Sequence, residues 1–125
     1  MGKPLTEQEL HNLAMNHVGK ELEERGYEFI AVNSKLKKHP QFVCVDKDNQ
    51  YYFVIVKVAI LPDNPNNYDV VWMESFKKHA RDNNAKVLYA GVGIGNIDGE
   101  TSHIYLDEEY LLEYSGIRLV ETNLN

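Results

Sequence analysis

The run Tyr51-Tyr52-Phe53-Val54-Ile55-Val56-Lys57-Val58-Ala59-Ile60 decides how this chain folds. Nine of its ten residues are apolar or aromatic, and most are β-branched or aromatic, which suits a pleated strand better than a helix. An apolar run without alternation implies burial on both faces, so the strand belongs inside its sheet rather than at an edge. Turn residues bound it: Asp46-Lys47-Asp48-Asn49-Gln50 before, and Leu61-Pro62-Asp63-Asn64-Pro65-Asn66-Asn67 after. Lys57 is the one cation in the run, and a buried ammonium is costly without a partner. Either the strand opens to solvent at Lys57, or the fold keeps a polar pocket there.

Upstream, Gln41 to Val45 reads as a second strand, and the turn 46–50 joins the two, so residues 41–60 are expected to form an antiparallel hairpin. Thr6-Glu7-Gln8-Glu9 is a capping box. Leu10, Leu13, Ala14, His17, Val18 and Leu22 then recur at helical spacing, and Gly26 ends a helix over 7–25. Tyr27 to Val32 is a short strand and Asn33 to Pro40 a polar, basic loop. Downstream, Asp69 or Asn67 caps a helix over 70–82, whose loose apolar face is Val71, Met73, Phe76 and Ala80 with Trp72 at the flank. Strands follow at 87–94 and 103–106, then a helix over 108–115 capped by Asp107 and ended by Gly116, with an edge strand at 117–120. The order α-β-β-β-α-β-β-α predicts a single domain over 1–125 of α/β (α+β) class. Its mixed sheet carries a central antiparallel hairpin flanked by helices.

Bulk properties narrow the function. A chain of 125 residues can bury most of its apolar surface as one unit. Its net charge of −6 argues against generic nucleic-acid binding, which needs a basic face. The charge is uneven: residues 35–86 hold nine basic groups against six acidic, and residues 87–125 one against seven. Lys35, Lys37, Lys38, Lys77, Lys78 and Arg81 could form a basic patch, though solvated loop and helix faces explain them more simply. The single cysteine, Cys44, excludes an internal disulfide framework and reads as a small core residue of a reducing compartment. The N-terminal Met1-Gly2-Lys3-Pro4-Leu5-Thr6 fits a myristoylation pattern, but Thr6 is better explained as the helix cap. No apolar run is long enough to span a bilayer, and no signal-peptide core is present. A cytoplasmic protein with no membrane partner is expected.

Three familiar motifs fail on their mechanics. Gly91-Val92-Gly93-Ile94-Gly95 alternates glycines along one strand face and leads into no helix. A dinucleotide loop is therefore excluded, and another backbone or helix is expected to pack against the bare strand. Asp46-Lys47-Asp48 lacks the glycine and terminal glutamate of a calcium loop. The histidines at 11, 17, 39, 79 and 103 have no zinc-ligand spacing, and His17 reads as a core-edge residue.

The segment His39-Pro40-Gln41-Phe42-Val43-Cys44-Val45, a turn, then Phe53-Val54-Ile55-Val56-Lys57 resembles the core of the PD-(D/E)XK nuclease-like (restriction-endonuclease-like) superfamily. The leading helix, three-strand meander, helix and further strand resemble its setting, over roughly residues 7–95. In that family a Pro-Asp begins the second strand and a Glu-x-Lys lies in the third. The two carboxylates hold Mg²⁺ and the lysine orients or activates water. Matched by position, Pro40 and Lys57 keep the pattern, whereas Gln41 stands for the Asp and Ile55 for the Glu. The resemblance thus implies a degenerate site of Gln41, Ile55 and Lys57, with no metal and no cofactor. Mg²⁺ requires hard, anionic oxygen ligands, which glutamine supplies poorly and isoleucine not at all.

Glu21 or Glu24 could approach such a site from the first helix, whereas Asp46 lies towards the opposite end of the hairpin. Three functions are consistent with these residues: a non-catalytic nuclease-fold module with a binding or structural role, an unrelated small α/β assembly domain, or a metal-dependent nuclease with a migrated site. Tyr110, Leu111, Leu112 and Tyr114, crowded on a short helix, point either to self-association or a protein partner through the C-terminal third, or to a cover for the sheet.

Overall fold

In the computed structural model, residues 4–36, 38–96, 104 and 110–120 are described. The elements run α1 (Glu7–Glu24), β1 (Glu28–Val32), β2 (Phe42–Val45), β3 (Tyr51–Ile60), α2 (Val70–Asp82), β4 (Ala85–Asn96), β5 (Tyr110–Tyr114) and β6 (Arg118–Val120). All six strands form one mixed sheet in the order β1-β2-β3-β4-β5, with β6 also on β4.

The hairpin forms as its sequence requires. β2 and β3 pair antiparallel from Phe42↔Val54 to Val45↔Tyr51. Their turn is held by Asp46, whose carboxylate accepts from the amides of Asp48 and Gln50 at 2.9 and 3.0 Å, while Asn49 takes the left-handed conformation at φ 63°. On its other side β3 runs parallel to β4 over its whole length, Tyr51↔Ala85 to Ile60↔Ile94. The crossover that such a parallel pair requires is made through α2. Strand β3 is therefore central, as a run without a polar face must be.

Alternate residues of β3 feed two cores. Val54 and Val56 join Leu10, Ala14, Val18 and Leu22 of α1. Ile55 joins Met73, Phe76 and Ala80 of α2, with Val87 and Tyr89. Each large aliphatic side chain so buried contributes about 1.5–3 kcal/mol. Cys44 is fully buried, and burial pushes its thiol up to about 11, as suits a structural cysteine. Among the described residues no helix is long and apolar enough to cross a membrane.

Two expectations are corrected. The stretch placed in a helix over 108–115 is strand β5 where it is described, pairing antiparallel with β4 from Val92↔Tyr114 to Asn96↔Tyr110. Tyr110, Leu112 and Tyr114 pack against the α1-side core, while Leu111 and Glu113 face out, the period-two pattern of a half-buried strand. These residues cover the sheet, so the crowded helix invoked for self-association does not exist. The second correction concerns α1. His17 is exposed, and the buried face instead reads Leu10, His11, Ala14, Met15, Val18 and Leu22. The stripe is centred closer to His11 and Met15, with Leu13 half-buried at its margin against the same core. The strand expected at 103–106 lies outside the described residues, except for Ile104, whose carbonyl accepts from the Leu5 amide at 2.7 Å.

On α2, Lys77 pairs with Glu74 and Lys78 with Asp82. They are i,i+3 and i,i+4 helix pairs, the Lys77 side chain being largely covered.

Candidate functional site

A cavity of about 470 Å³ opens where β2 ends and β3 continues. The ladder between them stops at Val54, whose carbonyl accepts from the Gln41 amide at 2.9 Å. Beyond it, the Gln41 side chain takes the place of a strand. Its Oε1 accepts from the buried Val56 amide at 2.7 Å. Its Nε2 donates to the Lys38 carbonyl at 3.1 Å and meets His39 Nδ1 at 2.8 Å. An amide Nε2 can only donate, so Nδ1 accepts and the His39 proton sits on Nε2. Gln41 is fully buried, and its amide is committed to local structure.

Ile55, Lys57 and Gln41 all line this cavity, so the structure brings the three sequence candidates together. Spacing i,i+2 puts Ile55 and Lys57 on one face of β3. Ile55 is closed into the α2-side core, whereas Lys57 is exposed and its Nζ donates to the Asn67 carbonyl at 2.7 Å. The alternatives for Lys57 resolve as both at once: its strand face is open to solvent, and a loop carbonyl receives the ammonium.

That loop can lie on the sheet because the face beyond Tyr89 is bare. Lys57 pairs with Gly91 and Ala59 with Gly93. A Cβ on Gly91 would lie inside the Pro65 carbonyl, and one on Gly93 or Gly95 would meet the Leu61 side chain. The alternating glycines serve close packing, with the segment 61–67 as the occupant. Tyr89 pins it, its hydroxyl donating to the Pro65 carbonyl at 2.6 Å in a buried setting that pushes the phenol up to about 12. Asp69 then caps α2, accepting from the Trp72 amide at 3.1 Å.

The remaining walls come from elements that the sequence candidates did not include. Glu7, Leu10 and His11 enter from the first turns of α1, and Leu36 and His39 from the loop before β2. Gln8 clamps that loop, accepting from the Leu36 amide at 3.1 Å and donating to the Ser34 carbonyl at 2.6 Å. Tyr68, Asp69 and Trp72 enter from the start of α2. Trp72 stacks on Phe76 at 5.2 Å and 16° and takes the His39 ring edge-on at 4.9 Å.

Glu21, by contrast, is engaged elsewhere, accepting from the Tyr114 hydroxyl and pairing with Arg25. The acids at the cavity are Glu7 and Asp69. Among the described residues, no group of three or more His, Cys, Asp or Glu is placed to hold a metal ion.

His11 is 4% exposed, and its Nε2 has no hydrogen-bond partner among the described residues. Burial, then the neighbouring His39, pulls its pKa below the ordinary 6.5. Burial likewise lowers His39, which keeps an exposed edge. Both histidines are therefore neutral at neutral pH, and the unfolded chain binds more protons than the native one below that range. Stability is expected to be fully present above pH ~6.5 and to fall as the medium is acidified through that value. Melting curves across pH test this, and His11→Phe is expected to flatten the dependence.

Comparison with known proteins adds a classification without a named activity. No curated protein matched the chain. A family model described as a domain of unknown function (DUF8840) matches residues 8–120, from the second residue of α1 to the end of β6, and the chain belongs to that family.

Proposed function

We propose that the protein is a non-catalytic binding module of nuclease-like fold, with the cavity at the β2–β3 divergence as its binding site. The observation that carries this reading is the state of Gln41. The position that would need a metal-binding carboxylate is filled by a buried amide spent on the Val56 amide, the Lys38 carbonyl and His39. Ile55, at the second carboxylate position, is packed among Met73, Phe76 and Tyr89. The order α1-β1-β2-β3-α2-β4, an antiparallel meander followed by a parallel fourth strand, supports the nuclease-like reading. Lys57 survives as a ligand-facing cation at the cavity, anchored by Asn67.

The purified protein is expected not to cleave DNA or RNA in Mg²⁺ or Mn²⁺. An ammonium alone neither generates hydroxide at neutral pH nor bridges phosphate oxygens as a metal ion does. Metal-dependent cleavage that Lys57→Ala abolishes would overturn the proposal. It would favour a migrated site, for which Glu7 and Asp69 are the acids within the cavity. Restoring the family pattern with Gln41→Asp and Ile55→Glu is expected to create Mn²⁺ binding measurable by calorimetry. The metal-free double variant should melt well below the parent, because two carboxylates enter a dry core. Mn²⁺ should recover part of the loss by binding only the folded state.

An assembly role draws support from one feature. Val70 and Val71, on the first turn of α2, are 66% and 80% exposed beside Trp72. Light scattering that shows a monomer at high concentration removes self-association through that turn.

A further inference from the structure

We propose that the cavity takes a free, uncharged, planar heteroaromatic ring of about purine size, with donors and acceptors along its edge. This rests on the cavity being a binding site. His11 Nε2 is the single buried side-chain polar atom without a partner among the described residues, and its ring lines the cavity. Native structures rarely leave such an atom unmatched, because it has lost water and gained nothing. The neutral imidazole can accept or donate at Nε2 according to its tautomer, so it suits a polar edge of either kind.

The charges around the cavity select against an ionic ligand. Lys57 supplies one ammonium, and Glu7 and Asp69 supply two carboxylates. An anion placed there meets both carboxylates, and a cation meets Lys57. The two carboxylates also stand at the N-termini of α1 and α2, whose positive ends offset them. The lining as a whole is near neutral but rich in groups that hydrogen-bond, which fits an uncharged ligand of mixed polarity.

The aromatic lining selects a flat one. Trp72, backed by Phe76, together with His39, Tyr68 and Tyr89, gives rings against which a planar molecule can stack. A volume of about 470 Å³ is within the range of small-molecule sites. A base presented by a polynucleotide offers the same ring, but each added nucleotide brings a phosphate towards a protein of net charge −6. The free ring is therefore favoured.

Trp72 is the only tryptophan in the chain, so its emission reports on the cavity directly. Titration near neutral pH with adenine and hypoxanthine is expected to give saturable quenching, confirmed by calorimetry. The charged rings benzoate and benzylamine should give none. His11→Phe, which keeps a flat ring and removes both nitrogens, is expected to weaken purine binding at least tenfold without lowering the melting temperature. Should that variant misfold, Lys57→Met at an exposed position is expected to weaken binding several-fold in a folded protein. The inference is overturned by an absence of saturable response to either purine, by an equal response to benzoate or benzylamine, by binding of a short deoxyadenosine oligonucleotide alone, or by unchanged affinity in a folded His11→Phe or Lys57→Met protein. No purine binding combined with no cleavage defeats this inference alone, whereas metal-dependent cleavage defeats the non-catalytic reading.

Discussion

Gln41→Ala is expected to destabilise the fold by about 3–4 kcal/mol, because it strips three polar groups of their partner at once. The Val56 amide, in a residue 2% exposed, loses its acceptor, and the Lys38 carbonyl and His39 Nδ1 lose their donor. A buried amide left unsatisfied costs about 1–3 kcal/mol by itself, and the emptied side-chain volume adds to it. For a domain of this size the melting temperature should drop by roughly 12–16 °C.

Gln41→Glu discriminates further. It keeps an acceptor for Val56 but cannot donate while ionised, and burial raises the pKa of the new carboxyl. A group whose folded pKa is raised stabilises below its unfolded pKa and loses that contribution as pH rises. The deficit of this variant relative to the parent should therefore shrink on acidification. Differential scanning calorimetry at two pH values measures both effects. If Gln41→Ala melts within ~4 °C of the parent, the side chain is not structural, and the proposed function loses its main support.

The same glutamine shows what a sequence can and cannot disclose. The hairpin was readable because its signals are local: a turn around Asp46, an apolar run from Tyr51, and Gln41 in reach of both. Helix α2 was readable because Asp69 caps it and Met73, Phe76 and Ala80 repeat at helical spacing, although Val71, expected on the same face, is exposed. The C-terminal segment was misread because Leu111, Leu112 and Glu113 are good helix formers. What overrides that propensity is the edge of β4, which β6 covers from Val87 to Tyr89 and β5 from Val92 to Asn96. Gly116, at φ 98°, links the two strands in a conformation that side chains resist. Unsatisfied backbone groups along a central strand outweigh a few tenths of a kcal/mol of helix preference per residue.

The site was legible only where it is local. Ile55 and Lys57 share a strand face by spacing, but His11, Glu7, Tyr68 and Asp69 come from two other elements, and no short-range pattern links them. His11 could have been found by rotating the α1 stripe to include Met15, since 11, 14/15, 18 and 22 also repeat at helical spacing. Its significance, an unpartnered nitrogen on a cavity wall, exists only in three dimensions.

Gly91→Ala is the other substitution from which a large loss is expected, about 2–3 kcal/mol or roughly 8–12 °C. The added methyl would stand 2.7 Å from the Pro65 carbonyl carbon and closer still to its oxygen, 3.0 Å from Asn66 Oδ1. Those first two atoms are backbone, buried and tied to Tyr89, so the loop cannot swing a side chain aside and must lift as a unit. At Gly93 the obstruction is the end of the Leu61 side chain at 2.7 Å, and at Gly95 its atoms at 3.1 Å. Rotamer change relieves the contact at Gly93, whereas at Gly95 the Leu61 Cβ, fixed to the backbone, has to yield only slightly. The expected order of destabilisation is therefore Gly91→Ala, then Gly93→Ala, then Gly95→Ala, although all three glycines lie on one strand face. Lifting the loop also withdraws the Asn67 carbonyl from Lys57 and shifts Tyr68 and Asp69 at the cavity wall. The Trp72 emission of folded Gly91→Ala protein should therefore differ from the parent, while that of Gly95→Ala should not. Equal, small losses at all three positions would show that the glycines do not make room for the loop, and the account of how Lys57 is held would fall with it.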